Sequence, residues 1–132
     1  MGLDVEFRAS EPIYTQIMDE IKRQIVSGER GPGDKVEPVR DLARMLGVNP
    51  NTVQRAFSEL EREGLMYTER TSGRYITADR ERVSRVREQS LMQTVADFVG
   101  RMRQSGLMDT DIVGLVQQYM DGGATNGSDY GG

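Results

Sequence analysis

The chain has 132 residues with 36% hydrophobic and only 6% aromatic content, enough for one modest core with an appendage. Cysteine and histidine are both absent, which excludes disulfides, thiolate chemistry and an imidazole base and leaves only all-oxygen metal sites. The net charge of -4 excludes a generally basic nucleic-acid binder, although a DNA footprint needs only local positive charge.

Residues 1–10 read as a flexible arm. Ser10 to Pro12 open a helix in which Ile13, Ile17, Ile21 and Ile25 recur at helical spacing, widened by Tyr14, Met18 and Val26, and Ser27-Gly28 ends it. The stretch Glu29 to Lys35 holds Gly31, Pro32 and Gly33 and reads as a turn, with Lys35-Val36 a short strand. A second helix begins near Pro38, buries Val39, Leu42, Ala43 and Leu46, and closes at Gly47.

The stretch Gly47 to Gly64 is the most informative. Asn49 suits a helix cap, Pro50 the first helical position and Gly64 the left-handed exit, which delimits a helix over 50–63. Val53, Ala56, Phe57 and Leu60 fall on one face; Asn51, Arg55, Ser58 and Arg62 fall on the other, with Thr52 and Gln54 on the flanks. Arg grips the O6/N7 edge of guanine with two bonds, and Asn or Gln grips the N6/N7 edge of adenine. Taken alone, such a face more often describes the solvated side of an ordinary amphipathic helix. Its neighbours change the balance. Two short helices joined by a glycine-containing turn make a helix-turn-helix. Leu65 to Arg70 and Arg74 to Ala78 then flank Thr71-Ser72-Gly73 as a β-hairpin, the wing of a winged helix. Arg40, Arg44, Arg55, Arg62, Arg70 and Arg74 lie in or beside this unit, whereas Asp4, Glu6, Asp97, Asp109, Asp111 and Asp121 lie outside it.

A long helix follows from Asp79 to Gln104, and Ser105-Gly106 breaks it. Its apolar stripe includes Leu91, Met92, Val95, Phe98, Val99 and Met102, which are expected to meet a second copy of the chain. Asp109 is expected to cap a final helix with Ile112, Val113, Leu115, Val116, Tyr119 and Met120. Residues 122–132 are glycine-rich and polar and are predicted to be disordered. No apolar run approaches the ~20 residues that span a membrane, so a cytoplasmic location is expected. The predicted fold is mainly α: an arm (1–10), a winged helix-turn-helix (11–78), a helical dimerisation region (79–121) and a tail (122–132).

Over residues 11–78 the order EPIYTQIMDEIKRQIVSGE, PGDKV, VRDLARMLGVNPNTVQRAFSELEREGLMY and RTSGRYIT resembles the GntR family of bacterial transcription regulators. The short remainder is similar to the YtrA-like branch. The resemblance implies a homodimeric repressor on a palindromic operator in double-stranded DNA, without a cofactor. By it, Arg40, Asn51, Thr52, Arg55 and Gly73 match DNA-contacting positions. Together with Arg44, Gln54, Arg70, Ser72 and Arg74 they form the candidate DNA-binding set. Where the family usually has Leu-Pro-Ser, this chain has Val36-Glu37-Pro38, so that serine's contact is expected to be missing and Glu37 to repel phosphate. An effector would have little room outside the junction of tail and reading domain or a contact between two tails. The alternatives are a winged-helix protein-interaction module and an enzyme. The second is disfavoured, since Asp109 and Asp111 read as helix-start residues.

Overall fold

The structure, a computed structural model, describes residues 5–123 and divides into two units, Met1–Glu88 and Gln89–Gly132. The predicted disordered tail falls almost entirely outside the described residues.

The first unit contains α1 (Ile13–Ser27), α2 (Val39–Leu46), α3 (Pro50–Arg62), β1 (Met66–Glu69), β2 (Gly73–Ile76) and the opening turns of α4 (Arg80–Gln104). The helix limits follow local chemistry. Gly28 and Gly47 close α1 and α2 at φ 85° and 69°, backbone angles that only glycine adopts without strain. At the start of α3 the Asn49 side chain accepts the Asn51 N–H at 2.7 Å, and Pro50 occupies the first turn. Between β1 and β2 the register pairs Met66 with Ile76 and Tyr67 with Tyr75. The two tyrosine rings stack at 5.7 Å, so they pack across the hairpin. The expected strand at Lys35-Val36 is one bridge, from Lys35 to Tyr75. It is reinforced where the Val36 N–H donates to the Arg74 carbonyl at 2.9 Å and the Ile76 N–H to the Asp34 carbonyl at 2.8 Å.

Apolar spacing becomes a core here. Ile17, Ile21 and Ile25 of α1, Leu42 of α2, and Val53, Ala56, Phe57 and Leu60 of α3 are buried together with Leu65, Met66 and Ile76 of the hairpin region. Burial of each large side chain contributes about 1.5–3 kcal/mol. The first unit continues beyond the expected boundary at residue 78. Val83 and Val86 of α4 pack on the core, and Arg82 Nη1 donates to the Glu63 carbonyl at 3.2 Å.

The arm predicted to be flexible is, over residues 5–10, held against this core. Val5 and Phe7 pack on it. Gln16 is buried and uses its whole amide: Nε2 donates to the Arg8 and Glu11 carbonyls at 2.7 and 2.9 Å, and Oε1 accepts the Arg8 N–H at 2.7 Å. The sequence offers no periodicity over these residues, which is why the contact was not foreseen.

In the second unit, α4 continues to Gln104 and is followed by α5 (Asp109–Gln118) and a π-type turn over Tyr119–Gly123. Ile112 is buried, Phe98, Val99 and Met102 are half-buried, and Leu91, Met92 and Val95 are exposed. Asp109 is not the cap. Met108 is the residue preceding the helix, and its N–H donates to the Asp111 carboxylate at 3.0 Å, the reach-back half of a capping box. Asp109 instead accepts Nε and Nη2 of Arg103, both at 3.0 Å. No described helix is long and apolar enough to cross a membrane.

Replacing Gln16 by Leu is expected to destabilise the fold by about 1–3 kcal/mol, because three backbone groups lose a buried partner. Urea unfolding measures the loss, and amide exchange at Arg8 should accelerate; unchanged exchange would show that the arm is held by other contacts.

Candidate nucleic-acid interface

Burying Val53, Ala56, Phe57 and Leu60 turns the opposite edge of α3 to solvent. Asn51, Gln54, Arg55, Ser58 and Arg62 are exposed there and Thr52 is half-buried. Gln54 Nε2 donates to Ser58 Oγ at 3.3 Å. A cleft of about 550 Å³ opens beside this edge. Lys35, Arg40, Gln54, Ser72 and Gly73 line it, which brings α2, α3 and the hairpin to one place. Gly73 has φ 120°, a conformation that favours glycine, and Lys35 Cε runs alongside it, within ordinary contact distance (3.4 Å) of where a Cβ would stand. Ser72 Oγ accepts the Tyr75 hydroxyl at 2.9 Å.

Charge pairing separates the candidate cations. Arg44 pairs with Asp41 at 2.8 Å and Arg62 with the half-buried Glu59 at 3.1 Å, both one-turn pairs on their own helices with exposed arginines that contribute little and are screened by salt. Arg74 differs from expectation. Its side chain is half-buried, with Nε 3.6 Å from Glu61 Oε2 and Cζ 5.3 Å from the Phe57 ring centroid. An alternating strand sends every second side chain inward, and Arg74 takes the inward side with its charge turned to Glu61. Glu61 also accepts the Thr68 hydroxyl. Arg74 Nε is buried with no hydrogen-bond partner. In contrast, Lys35, Arg40, Arg55 and Arg70 are exposed, and among the described residues none of them has an ion-pair partner. Lys35 was not foreseen, since its approach to Gly73 depends on the bridge to Tyr75. Arg55 does have a neutral neighbour: its Cζ lies 3.9 Å from the centroid of the Tyr14 ring.

Glu37 does not stand free to repel phosphate. Arg30, buried in the first unit, donates to both Glu37 oxygens at 2.9 and 3.3 Å and through Nε to Gln24 Oε1 at 2.5 Å. Burial pushes the Glu37 carboxyl up, but the hydrogen bonds from Arg30 and from its own backbone, with the Arg30 charge, outweigh burial and hold it below the usual carboxylate range. The ion pair thus anchors the approach to α2 and to Arg40. No side-chain cap is present at Pro38, as the missing serine implies. Among the described residues no cluster of three acidic side chains is placed to hold a metal ion.

Comparison with known proteins matches residues 13–76 to the family model described as bacterial regulatory proteins, gntR family. The chain is 36% identical over 121 residues to the uncharacterised HTH-type transcriptional regulator YhcF of Bacillus subtilis, covering 92% of this chain and 100% of that protein. It is 45% identical over 75 residues to the HTH-type transcriptional repressor YtrA of the same organism, covering 57% and 58% respectively. A solved GntR family transcriptional regulator from Listeria monocytogenes is 38% identical and superposes with a TM-score of 0.78 over 85% of this chain and 98% of that one. The chain belongs to the GntR family.

A depressed carboxyl pKa adds stability above the ordinary value, about 4.5 for Glu37, and that stability is lost as pH falls through the lower folded value. Replacing Glu37 by Gln should therefore cost more at neutral pH than near pH 3. Urea midpoints at both pH values test this, and equal losses would show that the ion pair is thermodynamically silent.

Proposed function

We propose, from the premise of GntR family membership, that the chain binds double-stranded DNA sequence-specifically through α3 and the wing and acts as a transcription repressor. One observation carries this reading. Four exposed cations without acidic partners, Lys35, Arg40, Arg55 and Arg70, stand on α3, the start of α2, the wing and the segment beside it, although the chain as a whole is acidic; Arg80, Arg85, Arg87 and Arg101 on α4 are likewise exposed and unpaired among the described residues. Lys35, Arg40 and Arg70 suit phosphate, which positions the protein, while Asn51, Thr52, Gln54 and Arg55 suit base edges, which specify sequence. Arg74 becomes a lesser contributor than the sequence suggested, because its half-buried side chain is turned to Glu61, whereas the exposed Arg44–Asp41 pair is weak enough to leave Arg44 available to phosphate. The relatives' names as regulators and a repressor support a binding rather than a catalytic function. A cytoplasmic location is part of the same proposal.

The chain is further proposed to act as a homodimer on a palindromic site. Leu91, Met92 and Val95 on α4, with Met108, Val113, Val116, Tyr119 and Met120 beyond it, are exposed apolar side chains, more than isolated surface hydrophobes account for. Phe98, Val99 and Met102 are already half-buried and would supply the inner border of the contact. Isologous pairing of this face makes the operator two-fold symmetric. No effector is assigned.

Selection of a preferred duplex from random DNA tests the reading. Arg55→Ala should then lose about 1–3 kcal/mol on the selected duplex and relax one base pair, while Arg40→Ala should weaken selected and random duplexes alike and reduce the salt slope by about one. Recovery of no preferred sequence would leave the protein-interaction module as the better reading. Val95→Glu should convert a dimer to a monomer in sedimentation equilibrium without unfolding the first unit; an unchanged mass would move the dimer contact elsewhere.

A further inference from the structure

The exposed edge of α3 carries one contact that DNA binding by itself does not explain. Arg55 is exposed, yet its Cζ lies 3.9 Å from the ring centroid of Tyr14 and Nη2 donates to the Tyr14 hydroxyl at 3.3 Å. Tyr14 belongs to α1, 41 residues earlier in the chain, and its half-buried ring packs against the core. The platform beneath the guanidinium is therefore fixed by tertiary structure. Among the described residues no carboxylate pairs with Arg55, in contrast to Arg23, Arg30, Arg44, Arg62 and Arg103.

We propose that Tyr14 is a specificity-determining positioning residue, whose ring holds the Arg55 guanidinium in one orientation from which it meets a base edge. The proposal rests on α3 being the DNA-reading helix. An exposed arginine samples many rotamers, and each rotatable bond fixed on binding costs affinity. A guanidinium stacked through its face keeps its N–H donors at the edge, where a bidentate contact needs them. A carboxylate partner would occupy those donors in pairs, whereas the ring occupies none and the Tyr14 hydroxyl takes a single N–H of Nη2. The ring is the larger contributor of the two groups on Tyr14. A cation over an exposed aromatic face is worth about 0.5–1 kcal/mol, whereas the hydroxyl contact lies at the long end of hydrogen-bond distances.

The test uses the full chain, the duplex it selects from random DNA, and a panel of that duplex with each base pair changed in turn. Arg55→Ala identifies the base pair that Arg55 reads, as the position where discrimination collapses. Tyr14→Leu, which removes the ring, is expected to reduce discrimination at that same base pair by about 2–5-fold, the cation–π energy expressed as a ratio, and to leave the other positions unchanged. Tyr14→Phe should keep nearly all of it, and the Leu variant should add no further loss at that position in the Arg55→Ala background. Thermal melting verifies folding, and Tyr14→Met repeats the measurement if the Leu variant does not fold. An equal loss on every duplex, or a preserved profile in Tyr14→Leu, would overturn the positioning role while leaving DNA binding intact. Absence of any base pair sensitive to Arg55→Ala would overturn the role of Arg55 in base reading, and this proposal with it.

Discussion

The seating of Val53, Ala56, Phe57 and Leu60 against α1 and α2 fixes the rotation of α3 about its own axis. A helix turned by one residue would carry its polar edge about 100° away, so the four buried side chains decide which residues meet solvent. Phe57 also lies beneath the guanidinium of Arg74, and Leu60 receives the chain end that leads to the hairpin through the Leu65 N–H at 2.9 Å. The same packing thus sets both the exposed edge of α3 and the start of the hairpin.

Electrostatic layout resolves the apparent conflict between an acidic chain and a nucleic-acid partner. Acids are spent locally: Asp41 on Arg44, Glu59 on Arg62, Glu61 on Arg74 and Glu37 on Arg30. Of the cations left over, Lys35 and Arg40 line the cleft between α2, α3 and the wing, Arg55 and Arg70 stand exposed on α3 and the wing, and Arg80, Arg85, Arg87 and Arg101 lie on α4. Because a phosphate contact releases counterions, even a few such groups make binding strongly salt-dependent. The remaining acidic surface weakens attachment to arbitrary DNA, which raises the share of affinity that must come from base contacts.

Local signals made most of the fold legible. The glycine exits at Gly28 and Gly47, the Asn49–Pro50 start and the alternation around Thr71-Ser72-Gly73 each act over a few residues, and each element appears where those residues place it. Contacts made between different elements and turns were not legible. The Arg30–Glu37 pair, the Tyr14–Arg55 contact and the docking of Val5 and Phe7 all depend on which elements become neighbours. Arg74 illustrates the difference at the site: composition marks it as a wing cation, but strand alternation turns it to Glu61. Lys35 is the converse, a turn residue by composition that the bridge to Tyr75 brings beside Gly73.

The most direct measurement is a crystal structure of the full chain on its selected duplex. The expected result has α3 in the major groove, with Asn51, Gln54 and Arg55 within hydrogen-bond distance of base edges and Val53 and Phe57 still enclosed in the core. A duplex bound through any other face, with the polar edge of α3 left in solvent, would contradict the account.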